Sequence, residues 1–140
     1  MLAHLNPEGM MAPYSVNTHG IVVPAGHRML FTSGQVGQAK DGSIPAGIAA
    51  QTELVWQNLS TVLQAAGMGL EDLVHVNTYL TRREDLATFL EVRKPYMLRG
   101  RPTATLVIVG GLAHPDWLVE IEGYAAARDP VPDPVGGRKS

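Results

Sequence analysis

The chain contains no cysteine, and this absence removes several classes of chemistry at once. Without a thiol there is no disulfide, no thiolate nucleophile and no cysteine-ligated zinc or iron–sulfur centre. No apolar run approaches the roughly 20 residues that a membrane-spanning helix needs. The N-terminal segment has neither a basic start nor an apolar stretch, so we expect no signal peptide. These observations predict a cytoplasmic protein without a membrane partner.

A strong charge of either sign is also missing. Lys plus Arg number 11 and Asp plus Glu number 13, which leaves a formal net charge of −2. A near-neutral chain lacks the broad basic field of non-specific nucleic-acid binders, so we predict no nucleic-acid partner. The 140 residues are 45% hydrophobic, which is sufficient for one domain with a buried core.

Two segments have the periodicity of amphipathic helices. From about Ile48 to Ala66, apolar residues recur on one face of a 3.6-residue period, and Gly67 can end that helix in the left-handed conformation. A second helix is predicted to start at the capping-box pattern Thr81–Glu84. Its periodic positions are Leu86, Phe89, Leu90 and Arg93. We expect Pro95 to end or kink it just after the last of these.

Five segments favour strands. Gly20–Pro24 and Met29–Ser33 flank an Ala-Gly turn and predict a hairpin, and Thr103–Val109 is β-branched. Leu73–Leu80 alternates, with the apolar face predicted at Val74, Val76, Thr78 and Leu80. Trp117–Ala127 also alternates, and its polar face is predicted to carry Glu120, Glu122 and Tyr124.

The order β-β-α-β-α-β-β predicts a single α+β domain over residues 1–127, with two helices on one face of a mixed sheet. Residues 128–140 hold three prolines and few apolar side chains, so we predict a flexible tail. The first dozen residues are interpreted as an irregular lead-in. Two helices leave the other sheet face bare, which predicts a homo-oligomer with sites where copies meet.

Few motifs carry chemistry by themselves. The five histidines have no metal-pair spacing, so no metal site is predicted, and His75 is interpreted as a hydrogen-bonded interface residue. The basic residues between Arg93 and Arg101 are interpreted as complementing a helix dipole. Glu120 and Glu122 lie roughly 7 Å apart on one strand face. Pattern alone favours a solvated edge, and the alternative is a carboxylate of raised pKa that holds a water.

Several motifs together resemble the YjgF/RidA family in order and spacing. They are Phe31-Thr-Ser-Gly-Gln35, Ala65-Ala-Gly67, Val74-His-Val-Asn-Thr-Tyr-Leu80, Arg101-Pro102 and Leu118-Val-Glu-Ile-Glu122. The resemblance covers about residues 13–127. It implies a chorismate-mutase-like fold and a homotrimer with small-molecule clefts between subunits. It also implies hydrolysis of reactive enamines and imines, such as 2-aminoacrylate, to 2-keto acids and ammonia without a cofactor.

The resemblance carries over to individual residues only in part. It implies catalytic roles for Tyr14, Ser33 and Glu120, with Glu120 holding the water and the other two hydrogen-bonding the substrate. Gly34 matches the glycine that follows the serine. Leu90 stands at the position of a cleft asparagine, and Ala104 stands at the position of the carboxylate-binding arginine. These two residues, with Thr105 and Leu106, complete the implied substrate-binding set, and a main-chain carbonyl near Thr105 or Leu106 would orient ammonia or water.

The missing arginine changes the expected substrate. A guanidinium–carboxylate fork is charge-assisted and geometrically specific, and alanine cannot replace it. We therefore predict a substrate other than 2-aminoacrylate, in a pocket that Leu90 and Ala104 widen and dry, unless Arg99 or Arg101 reaches the cleft. A non-catalytic binding or regulatory trimer on the same scaffold is the alternative. Nuclease or translation inhibition, described for some family members, is disfavoured by the near-neutral charge.

Overall fold

The computed structural model describes residues 1–128, so the predicted tail lies outside the described residues apart from Arg128. Seven strands and two α-helices follow one another along the chain. The strands are β1 (Ala3–Leu5), β2 (Gly20–Val22), β3 (Arg28–Phe31), β4 (Gln35–Val36), β5 (Leu73–Leu80), β6 (Thr103–Ile108) and β7 (Val119–Ala127). The helices are α1 (Ile48–Ala65) and α2 (Leu86–Gly100). Short 3-10 turns at Leu70–Asp72 and Arg83–Asp85 precede β5 and α2.

The main sheet has five strands in the order β3-β7-β5-β6, with β4 pairing β7 beyond the end of β3. The pairs β3–β7, β4–β7 and β5–β7 are antiparallel. The pair β5–β6 is parallel, because the chain returns through α2 before it forms β6. The longest strand, β7, therefore has neighbours on both sides, and β6 lies at an edge.

Both helices pack on one face of this sheet, which confirms the predicted α+β arrangement. The core between the layers includes Trp56, Leu59, Phe89, Val76 and Ile121, all fully buried. Fully burying a side chain of this size contributes about 1.5–3 kcal/mol, so this layer makes a large favourable contribution to the free energy of folding. The apolar faces predicted from the periodicity of α1 and the alternation of β7 are the faces that are buried.

The second face of the sheet is not covered by any described element. Its polar centre consists of His75, Asn77, Tyr79, Glu120, Glu122 and Tyr124, which are all half-buried. Apolar side chains surround this centre, and Phe31 is 69% exposed although it packs against the ring of Tyr124. An apolar rim of this kind on one face is typical of a surface that meets another protein copy.

No helix within residues 1–128 is long and apolar enough to cross a membrane.

The predicted hairpin between Gly20–Pro24 and Met29–Ser33 is wrong. β2 pairs instead with β1, which lies in the segment that was expected to be irregular. β3 pairs with β7, where Leu30 packs against the core. The nine-residue β7 is long enough to pair with β3 at the edge of the main sheet, where Leu30 packs against the core. In a separate two-stranded hairpin Leu30 would not be in contact with the core.

The predicted faces of β5 are correct only from His75 onward. The register shifts between Leu73 and His75, because two residues of β5 pass one residue of β7. This bulge turns Leu73 onto the core side, where it is fully buried, and leaves Val74 half-buried. A strict alternation cannot reveal such an extra residue, so the prediction placed Leu73 on the wrong face.

The prediction for the start of α2 is also wrong, and of the two outcomes expected at Pro95 the ending of the helix does not occur. Thr81 does not cap the helix: its main-chain N–H donates to the carbonyl of Leu118, and Arg82 forms an ion pair with the buried Asp85. Pro95 does not end the helix, which continues to Gly100. Pro95 is exposed, whereas Met97 and Gly100 are buried. Packing of this last turn outweighs the hydrogen bond that proline removes.

Candidate functional site

Glu120 lies on β7 at the centre of the uncovered face. It is opposite Val36 of β4 in the register and opposite Tyr79 of β5. The loop between β3 and β4 brings Gly34 directly against its carboxylate, and a Cβ at residue 34 would collide with Oε2 of Glu120. The hydroxyl of Thr32 and the main-chain carbonyl of Ser33 hold this loop through hydrogen bonds. Thr32 Oγ1 donates to the Ser33 carbonyl at 2.9 Å and accepts from the main-chain N–H of Gly123 at 3.0 Å.

The carboxylate of Glu120 has no hydrogen-bond partner within the described residues 1–128. Partial burial raises its pKa, and the nearby charge of Glu122 raises that pKa further. A carboxyl group in this state has free lone pairs and a greater proton affinity than an ordinary glutamate. It is therefore suited to take a proton from a water molecule and to release it again.

Glu122, two residues along the same strand, is in a different state. Asn77 Nδ2 and Tyr79 Oη both donate to its Oε2, each at 3.0 Å. The hydrogen bond to Glu122 is the main reason why the pKa of Tyr79 is raised. Asn77 Oδ1 lies 2.8 Å from Nε2 of His75, which extends the network along β5. The carboxylate of Glu122 is thus used in hydrogen bonds within the sheet, whereas that of Glu120 remains available to a ligand or water.

A pocket of about 720 Å³ lies on the opposite, helix-covered side of the sheet. The N-terminal segment between Met10 and His19 forms one wall, α2 forms the second, and β6 forms the floor. α2 contributes Leu86, Leu90 and Arg93, and β6 contributes Ala104 and Leu106. The exposed ring of Tyr14 lies at the mouth of this pocket.

Arg93 is the unusual residue of this pocket. It is only 3% exposed, and its Nε and Nη1 are shielded from water without a hydrogen-bond partner in residues 1–128. Burial lowers the pKa of Arg93 to about 10, so it remains charged at neutral pH. Its guanidinium carbon lies 5.3 Å from the centre of the Phe89 ring. No carboxylate of the described chain forms an ion pair with it.

The residues implied by the family resemblance fall into two groups in the structure. Ser33 and Gly34 lie beside Glu120 at the uncovered face. Tyr14, Leu90, Ala104 and Leu106 line the helix-side pocket. Thr105 is exposed, and its register with Asn77 places it on the uncovered face. The two groups therefore lie on opposite faces of one sheet, and one chain does not bring them onto a single ligand.

The candidate replacements Arg99 and Arg101 are both outside the pocket. Arg99 donates to Glu71 at 2.8 Å on the surface, and Arg101 ends α2 with its φ at 47°. Arg93 was not predicted to be a site residue, because it was interpreted as lying at the end of the helix. The sequence does contain a signal for it, since Arg93 shares the periodic face of Leu86, Phe89 and Leu90. That signal was missed because Pro95 was expected to end or kink the helix just after Arg93.

No group of three or more histidine, cysteine or acidic side chains arranged to hold a metal occurs in residues 1–128. The uncovered face carries the carboxylates of Glu120 and Glu122, and the pocket on the other side of the sheet carries the guanidinium of Arg93. Neither site has the ligand set of a metal centre.

A family model described as Endoribonuclease L-PSP matches residues 10–127 of the chain. Protein mmf2, mitochondrial, from Schizosaccharomyces pombe is 41% identical over 101 residues, which cover 70% of this chain and 79% of the relative. TdcF of Escherichia coli, named as a reactive intermediate deaminase, is 34% identical over 101 residues, 69% of this chain and 78% of that protein.

Solved structures agree with these relatives. The Rid-family protein YyfB from Yersinia pestis, described as of unknown function, has a TM-score of 0.80 at 29% identity, covering 90% of this chain and 98% of that one. E. coli TdcF with bound serine has a TM-score of 0.67 at 30% identity, and the match covers 81% of this chain and 95% of that one. The likeness thus extends over sequence, strand order and helix placement.

Proposed function

Because the chain belongs to the YjgF/RidA family, whose model is described as Endoribonuclease L-PSP, we propose that it hydrolyses a reactive imine or enamine to a carbonyl compound and ammonia. The observation that carries this proposal is Glu120, a half-buried carboxylate of raised pKa that lies against Gly34 and has no hydrogen-bond partner in residues 1–128. The name of TdcF, a reactive intermediate deaminase, supports the same class of reaction.

The proposed reaction needs one water and one proton carrier. An enamine first tautomerises to the imine. Water then adds its oxygen to the imine carbon while Glu120 accepts a proton from it, and Glu120 passes this proton to the nitrogen to give a carbinolamine. Glu120 next accepts the proton of the carbinolamine hydroxyl and donates it to the nitrogen as the C–N bond breaks, which leaves the carbonyl compound and ammonia and returns Glu120 to its starting state. General acid–base assistance of this kind contributes about 10²–10⁴-fold to a rate.

We also propose that the site is completed by assembly into a homotrimer with clefts between copies. Ser33, Gly34 and Glu120 lie on one face of the sheet, and Tyr14, Leu90 and Ala104 line the pocket on the other. A ligand can touch both groups when the pocket side of one copy meets the uncovered face of the next. The apolar rim around Phe31 supplies a surface that such contact would bury.

The first test of this function is turnover by Glu120→Gln. The substrates are imines released from branched-chain, aromatic and small amino acids by an amino-acid oxidase, and the readout is ammonia release above the spontaneous rate. We expect the variant to lose about 100-fold or more in turnover and to keep the mass of the wild-type assembly in light scattering. Unchanged turnover in this variant would contradict the assigned role.

The second test is complementation between copies. Glu120→Gln and Tyr14→Ala are each expected to be poorly active, and they are unfolded together, mixed in equal amounts and refolded. If each cleft uses Glu120 of one copy and Tyr14 of the next, about a quarter of the clefts regain both residues. Recovery of activity toward that fraction supports the shared cleft, and a mixture no better than its components refutes it.

A non-catalytic binding trimer is the second candidate, because the usual anion-binding arginine and asparagine are replaced by Ala104 and Leu90. This candidate predicts no acceleration for any imine in the panel while small ligands still bind. RNA cleavage, which the family description names, would need a basic surface, and we expect no RNA binding even at low salt.

A further inference from the structure

The helix-side pocket contains a charged group that the proposed reaction does not explain. The guanidinium of Arg93 is buried, and no oxygen of the described chain accepts a hydrogen bond from it. Most buried charges in proteins are paired or hydrogen-bonded, because burying an unpaired charge has a high free-energy cost. The ring of Phe89 at 5.3 Å offsets only part of such a cost. A cation in this condition indicates a site for an anion.

The surroundings of Arg93 restrict the kind of anion. Leu86, Leu90, Ala104 and Leu106 give the pocket mainly apolar walls, and Arg93 is the one arginine or lysine among its described lining residues, which also include the imidazole of His19. His19 Nε2 is occupied by the carbonyl of Met11 at 2.6 Å. One guanidinium beside an apolar wall suits a singly charged, planar carboxylate with an apolar substituent better than a doubly charged phosphate.

We propose that Arg93 binds the carboxylate of a small 2-oxo or 2-imino acid whose apolar side chain lies against Leu90 and Ala104. This inference rests on the proposed function, and what it adds is the residue that holds the carboxylate at that site. The helix residue Arg93 and the strand residue Ala104 line the same pocket, so one small ligand can contact both of them. Arg93 follows Leu90 by three residues, which places both side chains on one helix face.

The binding test compares a carboxylate with its uncharged amide. The probes are 4-methyl-2-oxopentanoate and 4-methyl-2-oxopentanamide, titrated calorimetrically into the full chain. We expect the wild type to bind the acid at least about tenfold more tightly than the amide, as a charge-assisted hydrogen bond requires. Arg93→Met should lose this preference. Arg93→Lys should keep part of it, because lysine has the positive charge but not the paired N–H donors of a guanidinium.

Arg99→Met is the matched control. Arg99 lies on the same helix, removing it changes the net charge by the same amount, and its ion pair with Glu71 is on the surface. We expect this variant to retain the full preference for the acid. An equal loss of preference in Arg93→Met and Arg99→Met would show a general charge effect and overturn the proposal.

A second readout separates a ligand-binding role from a structural one. A buried cation without a bound anion destabilises the ligand-free protein. Arg93→Met should therefore unfold at the same or a higher temperature than the wild type. Adding the acid should raise the melting temperature of the wild type and leave that of Arg93→Met unchanged. A clear drop in the melting temperature of the ligand-free variant would instead show that Arg93 is paired in the assembly, and would refute the inference.

These experiments distinguish failure of the inference from failure of the proposed function. An Arg93-dependent preference for the acid, without imine turnover, supports the inference and rejects the deaminase. Glu120-dependent turnover with equal binding of acid and amide supports the deaminase and rejects the inference. Absence of binding of either probe at millimolar concentration also rejects it.

Discussion

The two sides of the sheet each contain a charged group without a partner in the described chain, and the two groups differ in how they are enclosed. Glu120 lies on the uncovered face, half-buried against Gly34, with its neighbour Glu122 taken up by Asn77 and Tyr79. Arg93 lies on α2, on the helix-covered side of the sheet, almost fully buried among apolar side chains.

This difference indicates which part of the proposed site one chain contains by itself. The chain already encloses Arg93, so the half that is proposed to anchor the ligand exists within one copy. The proposed acid–base half at Glu120 is open on one side, and in our proposal a second copy closes it. An open carboxylate keeps access to water until assembly, whereas an enclosed cation excludes water from its ligand.

Gly34→Ala should break the acid–base half with the largest effect on rate. The new Cβ would collide with Oε2 of Glu120, and the flexible end of that side chain would move away. A displacement of about 1 Å can reduce a rate about 100-fold, so we expect a loss of that order with the fold retained. Gly110→Ala is the control, because nothing lies within 4 Å of a Cβ there. Equal activity of Gly34→Ala and wild type would argue against Glu120 as the base.

Ala104→Arg should disturb the anchoring half. It would place a second guanidinium in the pocket of Arg93, and overpacking with like charge should lower the free energy of unfolding by roughly 1–3 kcal/mol. The same change in an Arg93→Met background should cost less, giving a coupling energy of about 1 kcal/mol in chemical denaturation. Additive effects of the two substitutions would mean that residues 93 and 104 do not share a site.

Glu122→Gln should sharpen the contrast between the two glutamates. Loss of the charged acceptor for Asn77 and Tyr79 should cost about 1 kcal/mol of stability. It also removes one cause of the raised pKa of Glu120, which must be ionised to accept a proton. Wild-type activity should fall as the pH drops through that raised pKa, and in the variant this limb should move to lower pH. A pH profile that does not move would show that Glu120 does not govern the rate.

Local patterns were enough to predict most of the elements. Alternation in β7 placed Glu120 and Glu122 on one face, and helical periodicity in α1 identified its buried side, because both patterns arise within one segment. The pairing of β2 with β1 could not be predicted from local patterns. β3 is not available to β2 because it pairs with β7, which is distant in the sequence. The bulge at Leu73 needed the register of a strand some fifty residues away.

Motif spacing and residue period are properties of the chain alone, and they were enough to assign the family, the α+β class and the two acidic positions on β7. The difference between the two glutamates arises only on folding, because the hydrogen bonds from Asn77 and Tyr79 reach Glu122 and not Glu120. The tertiary structure also decided that Arg93 is buried: packing of Met97 and Gly100 carries α2 past Pro95, and that continuation holds the guanidinium in an apolar pocket.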